Sequence, residues 1–237
     1  MRLRVSTVEA GNEREALRGT ASVTFDEQIK VTGIRIIEGK NGALFVAMPS
    51  YKAKDGEYKD ICNPISAEFR EALYGCILAA FEENPGTSML YNADSKEKLE
   101  VTARVTPIEG DNGVKAIASV YLNNGFVLNN VTVRESKEGK LYAAAPSYRT
   151  NERNEDGTVV YRNNFYPVTK KAQEQFQKIV LSAYEGKLQE LSAAQQENVK
   201  GSKETEKEQE AEENQEAKKK QDTEKKSKAK SSPKTAR

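Results

Sequence analysis

The sequence has no histidine and no tryptophan, and only two cysteines among its 237 residues. Without histidine, Ser-His-Asp and Cys-His catalysis, His-ligated metals and His-based acid–base work are excluded. Cys62 and Cys76 lie fourteen positions apart. That spacing fits no zinc or redox motif, and two thiols are too few for a disulfide framework. Cys76 falls on an apolar helix face and is read as a buried free thiol. Long apolar runs are also missing. The longest, Ala43 to Met48, is far short of the roughly 18 residues of a membrane helix. The opening MRLRVSTVEA has no apolar core of signal-peptide type, so a cytoplasmic, reducing location is expected. Neither charge sign prevails: Lys plus Arg is 37, Asp plus Glu is 36, and the net charge is +1. This excludes a uniformly basic nucleic-acid binder and an acidic solvating protein. No glycine-rich phosphate loop and no paired thiols are found, so no enzyme, no cofactor and no catalytic residue is expected. Apolar residues make up 37 % of the chain, below the roughly 45–50 % of a globular protein, so part of it should not fold.

The unfolded part is the end. Residues 201–237 contain no Val, Ile, Leu, Met, Phe, Tyr or Trp and cannot offset their conformational entropy by burial. Their charge is in blocks: net −5 over 201–216, then net +7 over 217–237. Two readings stand. The tail is a solubilising polyampholyte that folds back on itself, or its basic block touches phosphate. Residues 1–200 carry a net charge of −1, so a nucleic-acid site in the folded part must be a local patch.

The main organisational signal is an internal duplication. A shift of 97 positions aligns Ala21–Tyr51 with Ala118–Tyr148 without a gap, and eleven of the 31 pairs are identical. Average composition would give about two. The anchors include ASV at both starts, Glu38 with Glu135, Gly42 with Gly139, Leu44 with Leu141, and PSY at both ends. The second copy then carries six extra loop residues before Pro64 aligns with Pro167 and Ser66 with Thr169.

Each copy reads as strands followed by a helix. Leu3, Val5 and Thr7 alternate, as do Ala21, Val23 and Phe25. Ile29 and Val31 change phase to Ile34 and Ile36, which predicts a bulge near Gly33. Gly39-Lys40-Asn41-Gly42, Asn123-Asn124-Gly125 and Lys137-Glu138-Gly139 are turn sequences. Ser66 caps a helix whose stripe is Phe69, Ala72, Leu73, Cys76, Ile77, Ala80 and Phe81. Thr169 caps a second, with Ala172, Phe176, Ile179, Val180, Ala183 and Tyr184 in line and Gly186 as a possible interruption. The fold class is α+β: a duplicated small domain, each copy an antiparallel β-meander followed by a C-terminal helix, plus a disordered C-terminal tail. The boundaries are 1–84 for the first domain, 85–98 for a linker, 99–190 for the second domain, and 191–237 for a helical extension and tail.

Between sheet and helix each copy has a charged loop. Lys52, Lys54 and Lys59 lie near Tyr51 and Tyr58 in the first, and Arg149, Arg153 and Arg162 near Tyr148 and Tyr161 in the second. Cations interleaved with aromatics grip phosphate and stack on bases. Asp55, Glu57 and Asp60 dilute that charge. They look like a hard-cation cluster but read as the acids of an ordinary Asp-Gly turn, so no metal is expected. On residue types alone a solvated mobile loop stands beside the binding loop.

The first copy, from ASVTFDEQIK through FVAMPS and the Asp-Gly loop to the Pro-Ile of the helix start, resembles the bacterial septation regulator family SpoVG. The second copy resembles a diverged member, and together they span about residues 1–190. The resemblance implies small domains that dimerise, bind DNA and RNA, and adjust gene expression, with effects on cell septation and sporulation. It also implies a binding surface on the basic loop and helix. By position that surface is Lys52, Lys59, Arg35 and Arg70 in the first copy and Arg149 in the second; Lys54, where the chain departs from the usual family loop, is added as a further loop cation. Thr132 and Gln173 stand where Arg35 and Arg70 stand. The expected function is a non-enzymatic regulator whose partner is DNA or RNA, the alternative being a protein–protein adaptor that has lost nucleic-acid binding. A lone meander leaves strand edges open, so the two copies are expected to pair within one chain as a pseudo-dimer.

Overall fold

A computed structural model describes residues 1–11, 16–109 and 113–194. The expected disordered tail therefore lies outside the described residues. The chain divides into one compact unit, Met1–Lys187, and a second, Leu188–Arg237, described only over its first exposed helical residues.

The first half of the compact unit opens with β1 (Leu3–Glu9), β2 (Leu17–Phe25), β3 (Ile29–Glu38) and β4 (Leu44–Ala47). They form an antiparallel meander, β1 against β2, β2 against β3, β3 against β4. A small hairpin follows, β5 (Ser50–Lys52) and β6 (Tyr58–Asp60), then β7 (Cys62–Pro64) and α1 (Ala67–Glu83). Next come β8 (Ser88–Tyr91) and the second half: β9 (Val101–Pro107), β10 (Val114–Leu122), β11 (Phe126–Glu135), β12 (Leu141–Ala144), the hairpin β13 (Ser147–Arg153) and β14 (Val159–Asn163), and β15 (Phe165–Pro167). A second helix, α2, occupies residues 170–194.

The phase change at Gly33 is a bulge. Ala21 faces Ile34 while Val23 faces Val31, so β3 spends three residues where β2 spends two. Val31 and Ile34, three positions apart, can then both point into the core. Gly33 has φ +75°, conformationally cheap for a residue without Cβ. The second half repeats the device with a different residue. Ala118 faces Val131, Val120 faces Leu128, and Asn130 takes φ +59°. The tight turns repeat as well, as Asp26-Glu27 and Asn123-Asn124, all four at positive φ. Both helix caps are in place: Ser66 Oγ accepts from Phe69 N–H at 3.1 Å, and Thr169 Oγ1 from Ala172 N–H at 3.1 Å.

Strands cross between the halves reciprocally. β7 pairs with β11, Cys62 facing Leu128 and Pro64 facing Phe126. β15 pairs with β3, Phe165 facing Val31 and Pro167 facing Ile29. The flanking hydrogen bonds are matched. Thr32 N–H donates to Asn164 O and Asn129 N–H to Ile61 O, while Ile65 N–H donates to Gly125 O and Val168 N–H to Gln28 O. Buried side chains of both halves form one cluster, and Phe25 packs on Phe126 with ring centroids 4.9 Å apart.

Four expectations are corrected. Within 85–98, read as a linker, Ser88–Tyr91 is a strand on β1. The stretch beyond it is tied down: Met1 N donates to Ser95 Oγ and Glu97 Oε2, Leu99 N–H to Asp26 Oδ2 and Glu100 N–H to Asn123 Oδ1. α2 continues through Gly186, an exposed position within the helix, since a glycine inside a helix costs only about 1 kcal/mol against alanine. Cys76 is half-buried rather than enclosed, whereas Cys62 in β7 is fully buried. Finally, the charged loops are hairpins. The shorter Ala143 of β12 also has a structural partner: Gln177 of α2 accepts from its N–H at 2.6 Å and donates to its C=O at 2.7 Å, replacing a strand at that edge.

Candidate nucleic-acid interface

The two hairpins are built alike. In the first, Tyr51 faces Lys59 and Lys52 faces Tyr58. In the second, Tyr148 faces Arg162 and Arg149 faces Tyr161. Each places a tyrosine and a cation opposite each other twice. Arg162 thus stands where Lys59 stands, a correspondence the gapped loop hides in the sequence.

Not all these cations are available. Lys59 Nζ is 2.9 Å from Asp55, and Arg162 contacts both carboxylate oxygens of Glu152 at 2.7 and 2.9 Å. The Lys59 ammonium, helped by the Glu57 amide, holds the Asp55 carboxyl below its usual range. Asp55, one of the three acids of the Asp-Gly turn, is therefore engaged by a lysine. Among the described residues no group of three or more Cys, Asp or Glu side chains comes together to hold a metal ion. Arg153 donates to Gly157 O across its turn. Lys52, Lys54, Arg149 and Arg35 are exposed and have no carboxylate partner among the described residues.

A cleft of about 750 Å³ lies between the hairpins and the bulged strands. Its lining is paired across the halves: Gly33 with Asn130, Pro49 with Pro146, Ser50 with Ser147, Tyr51 with Tyr148, and Ile61 with Asn164. Arg35 joins it from β3. The sequence-predicted residues therefore divide. Arg35 lines the cleft. Lys52 and Arg149 directly follow the cleft tyrosines Tyr51 and Tyr148. Lys54 sits in the turn of the first hairpin, and Lys59 is ion-paired on its second strand. Arg70 lies in the first turn of α1, donates to Pro64 O at 3.4 Å and is not part of the cleft lining. Asn164 and Asn130 are the cleft residues that sequence reasoning missed. Only the alignment of Gly33 with Asn130 hinted at the latter.

No helix of the described residues is long and apolar enough to cross a membrane. Fold and site together define a tandem duplication of a small sheet-and-helix module around a shared cleft lined by tyrosines and Arg35. A sequence model of the family SpoVG matches residues 1–83 and 99–186, and the chain belongs to the SpoVG family. A septation protein SpoVG of Clostridium beijerinckii is 51 % identical over 67 residues, 28 % of this chain and 72 % of that protein. One from Treponema denticola is 41 % identical over 83 residues, 35 % of this chain and 85 % of that protein. A third, from Clostridium perfringens, is 44 % identical over 81 residues, 34 % of this chain and 86 % of that protein. Each match has the length of a single copy.

Proposed function

We propose that this chain is a non-enzymatic regulator that binds DNA or RNA and acts on gene expression linked to septation or sporulation. Its two halves take the place of two subunits. The observation that carries the reading is the set of exposed cations without carboxylate partners: Arg35 in the lining of a tyrosine-lined cleft, and Lys52, Lys54 and Arg149 on the hairpins that carry its tyrosines, in a domain of nearly neutral charge. Such a set holds phosphate locally without a basic surface elsewhere. The reciprocal ladders β7–β11 and β15–β3 support the pairing of the halves.

The test is a salt titration of the full chain against mixed DNA and RNA pools. Three to five phosphate contacts give a slope of about −3 to −4.5 in log K against log salt on duplex DNA. Replacing Lys52 and Arg149 together with glutamine should flatten that slope by about 2. No binding to any pool at low salt would leave the adaptor reading in its place. Sedimentation of the full chain should give a monomer at all concentrations, and a concentration-dependent dimer would count against the paired halves.

A further inference from the structure

The floor of the cleft holds a polar group that the fold does not use. Asn164 is 6 % exposed, and its backbone is fully engaged, N–H to Pro146 O at 3.2 Å and C=O with Thr32 N–H at 2.8 Å. Its side-chain amide has no hydrogen-bond partner among the described residues and faces the cleft beside Gly33 and Pro49. No buried side-chain N or O atom among the described residues is without a partner, so the Asn164 amide is open to the cleft, where water or a ligand meets it. An amide presents one acceptor and a two-proton donor side by side, which matches the donor–acceptor edge of a nucleobase. The same place in the first half is Ile61, which is apolar, so this amide has no counterpart there, although the cleft also holds the Asn130 amide. It also holds one guanidinium, Arg35, since Thr132 stands at the matching position of β11.

We propose that the cleft takes one unstacked nucleobase of a single-stranded segment, with the base edge on the Asn164 amide, the base face against Tyr51 or Tyr148, and the adjoining phosphate on Arg35. This rests on the nucleic-acid reading above and sharpens it from nucleic acid in general to single strands. The cleft volume falls within the roughly 300–1,000 Å³ of small-molecule sites, enough for a nucleotide. In a duplex the base faces are stacked and the Watson–Crick edges paired, so the tyrosines cannot stack on a base and an amide at the floor of a cleft meets no free pairing edge. A loop or single strand presents both.

The test compares a short mixed-sequence single strand, as DNA and as RNA, with the duplex of the same sequence, each titrated into the full chain at low salt. The chain has ten tyrosines and no tryptophan, so intrinsic emission reports tyrosine directly. The expected result is tighter binding of the single strand than of the duplex, with quenched tyrosine emission and one site per chain. Asn164→Leu should lower single-strand affinity about tenfold and leave the duplex unchanged. Arg35→Gln, an exposed position that folding does not depend on, should lower it by a similar factor. Equal affinity for both probes, with both variants silent, overturns the cleft assignment while leaving nucleic-acid binding intact. Failure of every probe to bind removes the underlying reading and this one with it.

Discussion

The two halves keep the same backbone devices and the paired Pro-Ser-Tyr of the cleft, and differ at a few other side chains. The bulge is Gly33 in one and Asn130 in the other, the caps are Ser66 and Thr169, and the turns are Asp26-Glu27 and Asn123-Asn124. In contrast, the cleft residues Arg35 and Ile61 correspond to Thr132 and Asn164, and on the helices Arg70 corresponds to Gln173 and Tyr74 to Gln177. Positions that set chain direction tolerate only residues of like conformational preference, so both copies hold them. Arg35 and Ile61, whose side chains line the cleft without setting chain direction, are under no such restraint. With both copies in one chain, each cleft position can specialise alone. Two identical subunits would instead present every group twice.

The largest effect should come from the joint core. Phe126 is fully buried and packs on Phe25 and on Phe69, so Phe126→Ala should cost about 3–5 kcal/mol. Unfolding should remain a single transition by circular dichroism. Two transitions, with the first half unaffected, would mean that the halves are independent. Next is Asp26, whose counterpart is the uncharged Asn123. Burial pushes its carboxyl up, but the Arg2 guanidinium and the Leu99 and Arg2 amides outweigh this and hold it below its usual value. Its stabilisation is therefore complete above the unfolded value, about pH 4, and is lost as pH falls through the lower folded value. Asp26→Asn should cost about 1.5–3 kcal/mol at neutral pH in urea melts and lose less than the parent on acidification. Equal acid losses would show that Asp26 contributes nothing. At the bulge, Gly33→Val should cost about 1–2 kcal/mol, whereas Gly33→Asn, copying the second half, should be nearly neutral. If the two substitutions cost the same, the positive φ is not what selects the residue. The smallest effect is at the caps, where Ser66→Ala and Thr169→Ala should each lower stability by about 1 kcal/mol in the same melts.

Much of this was legible beforehand. The duplication, the Gly33 bulge, the Asn123-Asn124 turn, both caps and both helix stripes follow from spacing and from residues with strong local preferences. The crossing strands were not. β7 and β15 have three residues each, too few for any periodicity. The hairpins β5–β6 and β13–β14 are exposed on most positions, so their alternation carries no apolar signal and they read as loops. At the site, the tyrosines and loop cations stood out as residue types, and Arg35 and Arg70 came only from the family resemblance. Asn164 was invisible, because a lone asparagine in a polar stretch shows nothing of the burial that its neighbours create. Ion pairing of Lys59 and Arg162 likewise depends on side-chain geometry.

The reciprocal strands also set a timetable for synthesis. Thr32 finds its acceptor in Asn164, 132 positions later. At about 5–20 residues per second on the ribosome, that is a delay of roughly 7–26 s. Through this interval the Ile29–Val31 edge of β3, flanked by buried isoleucine and valine, has no strand beside it. Two nascent chains side by side can each offer the other the missing strand. The same exchange that closes the finished protein on itself thus makes crowded translation the moment at which it is most exposed to joining with a neighbour.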